Sequence, residues 1–185
     1  MSPIATLAVA LVLALAGTTG GTALADQRDA RLDDLFEQLQ STGADAQRVE
    51  RTIWEIWSRS DSGLVNDLMH EGVQALAERR LSRALQRFDQ IVRYQPEFAE
   101  GWNKRATVHY LMRNYEASVR DIQQTLELEP RHFGALSGLG LIYDSLNQPE
   151  AAIRSFEAAL EINPHLEGLR RRVEELQDAL GGRRT

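Results

Sequence analysis

Pro96, Pro130 and Pro164 stand thirty-four residues apart, and the segments between them match position by position. Small residues recur at Gly72, Ala106 and Gly140 and again at Ala84, Ser118 and Ala152. Large apolar ones recur at Phe88, Ile122 and Phe156, at Leu85, Val119 and Ile153, and at Val92, Leu126 and Leu160. Five columns in one register describe a short unit that cannot bury an apolar face alone and must stack on its neighbours. A stack of helical hairpins is the fold this pattern allows, and such a stack offers a groove to another macromolecule.

The residue types follow from close packing of paired helices. Gly72, Ala106 and Gly140 fall where the first helix of a unit meets the second, and Ala84, Ser118 and Ala152 face them, so a larger side chain would push the axes apart. Phe88, Ile122 and Phe156 are expected to fill the space between adjacent units. Each of the three prolines follows a second helix and ends it through its missing N–H and its restricted predecessor. Pro149, in Asn147-Gln148-Pro149-Glu150, sits instead at the first turn of a helix, where proline is tolerated.

Two amphipathic segments precede the repeats. Leu32, Leu35, Phe36 and Leu39 are helically spaced over about 29–40, and Val49, Ile53, Trp54, Ile56 and Trp57 make a broad apolar face over about 44–58. Together they read as a hairpin that either caps the stack or lies in its groove. The cap is favoured, because the ends of a solenoid need covering. Ser60-Asp61-Ser62-Gly63 is a linker. Beyond Pro164, Leu166, Leu169, Val173, Leu176 and Leu180 line one face of a final capping helix that Gly181-Gly182 is expected to stop.

Residues 1–25 carry no charged side chain. The apolar run from Ile4 to Ala16 ends in a Gly/Thr break, and Ala23 and Ala25 supply the small residues that a signal peptidase accepts before Asp26. The expectation is export to the periplasm. Extracellular release and an uncleaved N-terminal anchor are the alternatives, and after cleavage no membrane span is expected. The organisation read from the sequence is thus a signal peptide over 1–25, a hairpin and linker over 26–63, repeats over 64–166 and a capping helix with its tail over 167–185. With no cysteine, stability must come from packing, and lipid attachment through a cleavage-site cysteine is excluded. The net charge of -6 and a pI near 5.3 argue against nucleic-acid binding, which needs clustered Lys and Arg.

From Leu64 onward the pattern resembles the tetratricopeptide repeat family, whose unit is a thirty-four-residue antiparallel helix pair. The matches are Trp102 in the second unit, Gly140 with Tyr143 in the third, and Ala84 with Phe88 and Ala152 with Phe156 in second helices. Leu68 and Ala75 stand where bulky aromatics are usual, and His109 where Tyr is expected, with Tyr110 beside it. The resemblance implies an all-α, right-handed solenoid of three units, about 65–98, 99–132 and 133–166. It also implies a concave face lined by Asn66, Met69, Val73 and Leu76, by Glu100, Asn103, Thr107 and Tyr110, and by Gly134, Ser137, Leu141 and Asp144. Family members that clamp a C-terminal carboxylate use Lys and Asn at fixed groove places. Met69, Val73 and Gly138 stand there in this chain, so the likeness does not extend to that clamp.

Nothing in the sequence assembles a catalytic centre. His70, His109, His132 and His165 have no partner at helical spacing for a metal, and the carboxylates are scattered over exposed helix positions. No phosphate loop, nucleophile elbow or zinc-protease helix is present. Gly134 and Gly138 fall inside a helix, where they permit close packing or leave a groove floor open. The reading is a non-enzymatic module without cofactor or metal that binds a protein or peptide in its groove. The alternative is a homo-oligomer built through the hairpin or the last helix.

Overall fold

The computed structural model describes residues 29–41 and 45–182; the segment read as a signal peptide lies outside them. Among the described residues there are nine helices and no strand. They are α1 (Arg31–Gln40), α2 (Ala46–Trp57), α3 (Gly63–Ala77), α4 (Leu81–Tyr94), α5 (Ala99–Leu111), α6 (Tyr115–Leu128), α7 (Phe133–Ser145), α8 (Pro149–Ile162) and α9 (Glu167–Gly182). The pairs α3/α4, α5/α6 and α7/α8 are the three antiparallel units, and each second helix packs on the first helix of the next unit.

The small-residue columns work within a unit. A Cβ on Gly72 would lie 2.6 Å from Phe88 Cε1, and one on Gly140 would lie 2.3 Å from Phe156 Cε1. Phe88 and Phe156 therefore sit over the glycine of their own unit rather than between units, which corrects the expectation from the sequence. In the middle unit the glycine is Ala106 and the ring is Ile122, both buried in one cluster, so one side gains volume as the other gives it up. Ser118, in the facing column, donates its hydroxyl to the Ala106 carbonyl at 2.8 Å.

The turn inside each unit repeats as well. Arg79, Arg113 and Asn147, again thirty-four apart, adopt φ of 57°, 60° and 55°. The next residue bonds five back, as Arg80 N to Ala75 O, Asn114 N to His109 O and Gln148 N to Tyr143 O. This is the Schellman closure of a helix end, made here without glycine. Ahead of the first unit Ser62 caps α3 through its hydroxyl, and between the second and third units His132 caps α7 through Nδ1, which accepts from Ala135 N at 3.1 Å. At the far end α9 buries Val173 and Leu176 against the last unit and runs through Gly181 and Gly182 rather than stopping before them.

The hairpin does not cap the first unit. Leu32, Phe36, Leu39, Val49, Ile53, Ile56 and Trp57 form one cluster with Phe133 and Leu136 of α7 and Ala159 of α8, with Leu126, Ile162, Leu166 and Leu169 packed around it. Gln40 Nε2 donates to the carbonyls of Glu161 and Ile162 at 2.7 and 2.8 Å, and His165 Nε2 donates to that of Leu39 at 3.0 Å. Arg131 pairs with Asp33 at 2.7 Å and lies over the Phe36 ring. The physical reason is visible in α3 and α4, whose open surface carries Asp67, Gln74, Arg83 and Gln86 and an ion pair of Glu71 with Arg87 at 2.8 Å. That surface is already fit for water, while the helix ends of the second and third units are apolar and take the hairpin.

Candidate partner-binding groove

Helix α5 runs along the middle of the concave side, and its first turn holds a buried charge. Glu100 is 1% exposed. Its Oε1 faces Lys104 Nζ at 2.8 Å, and its Oε2 accepts from His132 Nε2 at 3.0 Å and from Asn103 Nδ2 at 2.8 Å. Because His132 Nδ1 accepts the Ala135 N–H, its proton sits on Nε2, where Glu100 receives it. Burial alone would push the carboxyl up, but the Lys104 charge and the His132 hydrogen bond outweigh it and hold Glu100 at about 2.

The hairpin closes over this cluster. The Trp57 ring stacks on His132 with centroids 4.2 Å apart, Trp54 meets His132 and Phe133 edge-on, and Lys104 Nζ lies 5.5 Å from the Trp54 ring centre. A Cβ on Gly134 would stand 2.5 Å from Trp54 Cη2, so that glycine makes room for the chain's own tryptophan and not for a ligand backbone.

Two hollows remain, one on either side of this covered strip, and they meet on α5. The larger, about 880 Å³, opens between the hairpin and α3; Thr52, Glu55, Ile56 and Arg59 line one wall and Asn66, Met69, His70 and Val73 the other, with Lys104 at its floor. The smaller, about 160 Å³, lies between α5 and α7 among Asn103, Thr107, Tyr110, Ile122, Ser137, Gly138 and Leu141. Val73 and Leu141 are 43% and 40% exposed, so the hairpin leaves the apolar part of the groove open.

The residues expected on the concave face thus fall into three groups. Asn66, Met69 and Val73 line the larger hollow and Asn103, Thr107, Tyr110, Ser137 and Leu141 the smaller. Glu100 is enclosed beneath the hairpin, which corrects its assignment as a contact residue. Leu76 packs half-buried on the core of the first unit, and Asp144 is held by Arg172 of α9 through two bonds of 2.8 Å. Several groove side chains are already tied to the backbone. Asn66 exchanges two hydrogen bonds with Ser60, and Ser137 donates to the Phe133 carbonyl at 2.7 Å. Trp102 donates Nε1 to the Pro96 carbonyl at 2.7 Å and carries Arg105 against its ring, so it braces the turn between units. Arg105 also spans Asp89 and Asp121 at 2.9 and 2.7 Å, tying α4, α5 and α6 together. Sequence reasoning missed the wall supplied by α2, since nothing in the repeat pattern refers to the hairpin.

Two tetratricopeptide repeat models match the chain, over residues 71–118 and 134–166. A TPR repeat-containing protein of Rhizobium etli is 37% identical over 84% of this chain and 77% of its own length. The chain belongs to the tetratricopeptide repeat family. Small glutamine-rich tetratricopeptide repeat-containing protein 2 of Saccharomyces cerevisiae is 25% identical over 64% of the chain, which spans 34% of that protein. Among solved structures, the Sgt2 TPR domain of Aspergillus fumigatus superimposes with a TM-score of 0.62 at 20% identity, covering 67% of this chain and 84% of that one. The first TPR of Spaghetti (RPAP3), bound to the HSP90 peptide SRMEEVD, gives 0.61 at 18%, covering 65% and 96%. At these identities the likeness concerns the fold. Among the described residues of this tetratricopeptide protein, no helix is long and apolar enough to cross a membrane.

Proposed function

We propose that this tetratricopeptide protein is a non-enzymatic interaction module of the bacterial envelope that holds a protein or peptide partner along the two hollows that meet on α5. The observation that carries the reading is the exposure of Val73 and Leu141 on the concave side, one lining each hollow, with Met69 beside the first and Tyr110 beside the second. A preformed surface of stacked helices loses little ordering entropy on binding, and a few large side chains such as Tyr110 then contribute most of the affinity. The peptide held by the RPAP3 domain supports a groove ligand in kind only, since Met69, Val73 and Gly138 depart from the carboxylate-clamp pattern. Assembly through the hairpin loses its main argument, because the hairpin's apolar face is spent on the third unit. Export rests on residues 1–25, and the mass of the protein purified from the envelope fraction tests it: a mature chain starting at Asp26 is expected.

The test of the groove is crosslinked capture of partners from the envelope by the tagged chain and by a folded Tyr110→Ala, Leu141→Asp variant. A partner held by the parent chain and lost from the variant is expected; one held equally by both would move the function to another surface.

A further inference from the structure

We infer that the smaller hollow is a socket for one neutral aromatic side chain of the partner, of phenylalanine size, seated where Gly138 presents no side chain on α7. This rests on the groove reading above and deepens it by naming the group the partner supplies. Glu100 and Lys104, four apart on α5, correspond by the thirty-four-residue register to Gly134 and Gly138 on α7. The second unit fills these two places with its ion pair and the first with Asn66 and His70, while the third has a side chain at neither. Residues four apart share one helix face, so the two glycines open adjoining places on the concave side. The chain closes one of them itself. A Cβ on Gly134 would stand 2.5 Å from Trp54 Cη2, so an aromatic ring carried in by the hairpin occupies that place. At Gly138 a Cβ would meet only Ile122 Cδ1, at 3.5 Å, and no described residue fills the space beyond. Both glycines line the smaller hollow, which therefore continues the surface on which the hairpin is already seated.

The lining selects a neutral occupant. No charged residue borders this hollow, whereas six border the larger one: Asp29, Arg31, Glu55, Arg59, Asp61 and Lys104. Its hydroxyl protons are spent on backbone carbonyls, Ser118 on Ala106 at 2.8 Å, Thr107 on Asn103 at 3.0 Å and Ser137 on Phe133 at 2.7 Å. Asn103 gives Nδ2 to Glu100 at 2.8 Å. A charged group entering there would lose its water and gain no opposite charge. An apolar ring would meet Ala106, Ile122 and Leu141, with the Tyr110 ring on the wall beside it. The volume of about 160 Å³ is close to the roughly 150 Å³ of an apolar cavity that admits benzene.

The test uses the full chain, labelled at its Ile and Leu methyl groups, and blocked pentapeptides Ser-Ala-X-Ala-Ser in which X is Phe, Leu, Ala or Asp, titrated by NMR. The Phe peptide is expected to bind about tenfold or more tighter than the Ala and Asp peptides, the scale of burying one large apolar side chain, with Leu between. Its ring current should move the Ile122 δ1 methyl resonance. Gly138→Leu, its fold checked by circular dichroism, fills the socket from within and should abolish the preference. Gly138→Ala makes the smallest insertion and should weaken Phe binding severalfold. No saturable binding, a Phe peptide bound no tighter than the Ala one, a Leu peptide bound as tightly as Phe, or a preference that survives Gly138→Leu would each overturn the inference. Capture from the envelope separates the two levels. A partner lost with Tyr110→Ala, Leu141→Asp but held by Gly138→Leu leaves the groove reading standing without the socket, and a partner held by both variants removes both.

Discussion

Gly138 and Gly140 lie two residues apart on α7 and so face different sides of the helix, and alanine at the two positions should move stability in opposite directions. In both, replacing glycine inside a helix gains roughly 0.5–1 kcal/mol of backbone entropy. At Gly138 nothing offsets it, since the new methyl would meet only Ile122 Cδ1 at 3.5 Å, ordinary contact at the edge of the smaller hollow. At Gly140 the methyl would stand 2.3, 2.4 and 2.9 Å from Cε1, Cδ1 and Cζ of Phe156, a fully buried ring with the α7/α8 pair on both sides. Overpacking of this kind costs about 1–3 kcal/mol, and more for a larger side chain such as leucine. The net expectation is a gain of up to about 1 kcal/mol for Gly138→Ala and a loss of about 1–2 kcal/mol for Gly140→Ala. The assay is urea unfolding followed by circular dichroism, with Phe156→Leu combined with Gly140→Ala as the cycle partner. The smaller side chain should return part of the loss, as contacting residues couple. If Gly140→Ala proved as stable as Gly138→Ala, the helix-to-helix contact described for the third unit would be wrong.

Lys104→Ala should destabilise by about 3 kcal/mol or more, because it strips a buried carboxylate of its counter-charge; denaturant midpoints check it. Glu100 is held at about 2 in the folded chain, below its ordinary 4.5, so its contribution is complete above pH 4.5 and is lost as pH falls from there toward 2. Glu100→Gln should flatten that part of the stability profile, and a profile unchanged by the substitution would refute the linkage. Trp57→Ala should cost about 3–5 kcal/mol and detach the hairpin, read as faster amide exchange over α1 and α2 with the α3/α4 core unchanged. Arg113→Gly should raise the thermal midpoint slightly, by relieving about 1 kcal/mol of left-handed strain at φ 60°.

The expectations that held and those that failed differ in the range of the interactions behind them. Pro149 at a helix start, the prolines at unit boundaries and the facing of Ser118 with Ala106 are contacts within one thirty-four-residue period, where periodicity and local chemistry suffice. The αL positions at Arg79, Arg113 and Asn147 share that period, yet Arg and Asn there carry no glycine signal, so the turn closure was not legible. Glu100 occupied a groove position by register and is nevertheless enclosed, because its lid comes from residues about forty-five places earlier in the chain.

The repeat itself, its number of units and the small-against-large columns were determined by the sequence alone, because each unit is specified by neighbours no more than one period away. Where the hairpin docks, which groove residues stay open and which wall faces α3 were decided only by the tertiary structure. Those outcomes depend on matching the shape of Trp54, Trp57 and Phe36 to a surface made by α7, α8 and the first turn of α5. No periodicity encodes that match; it exists only once the units have stacked.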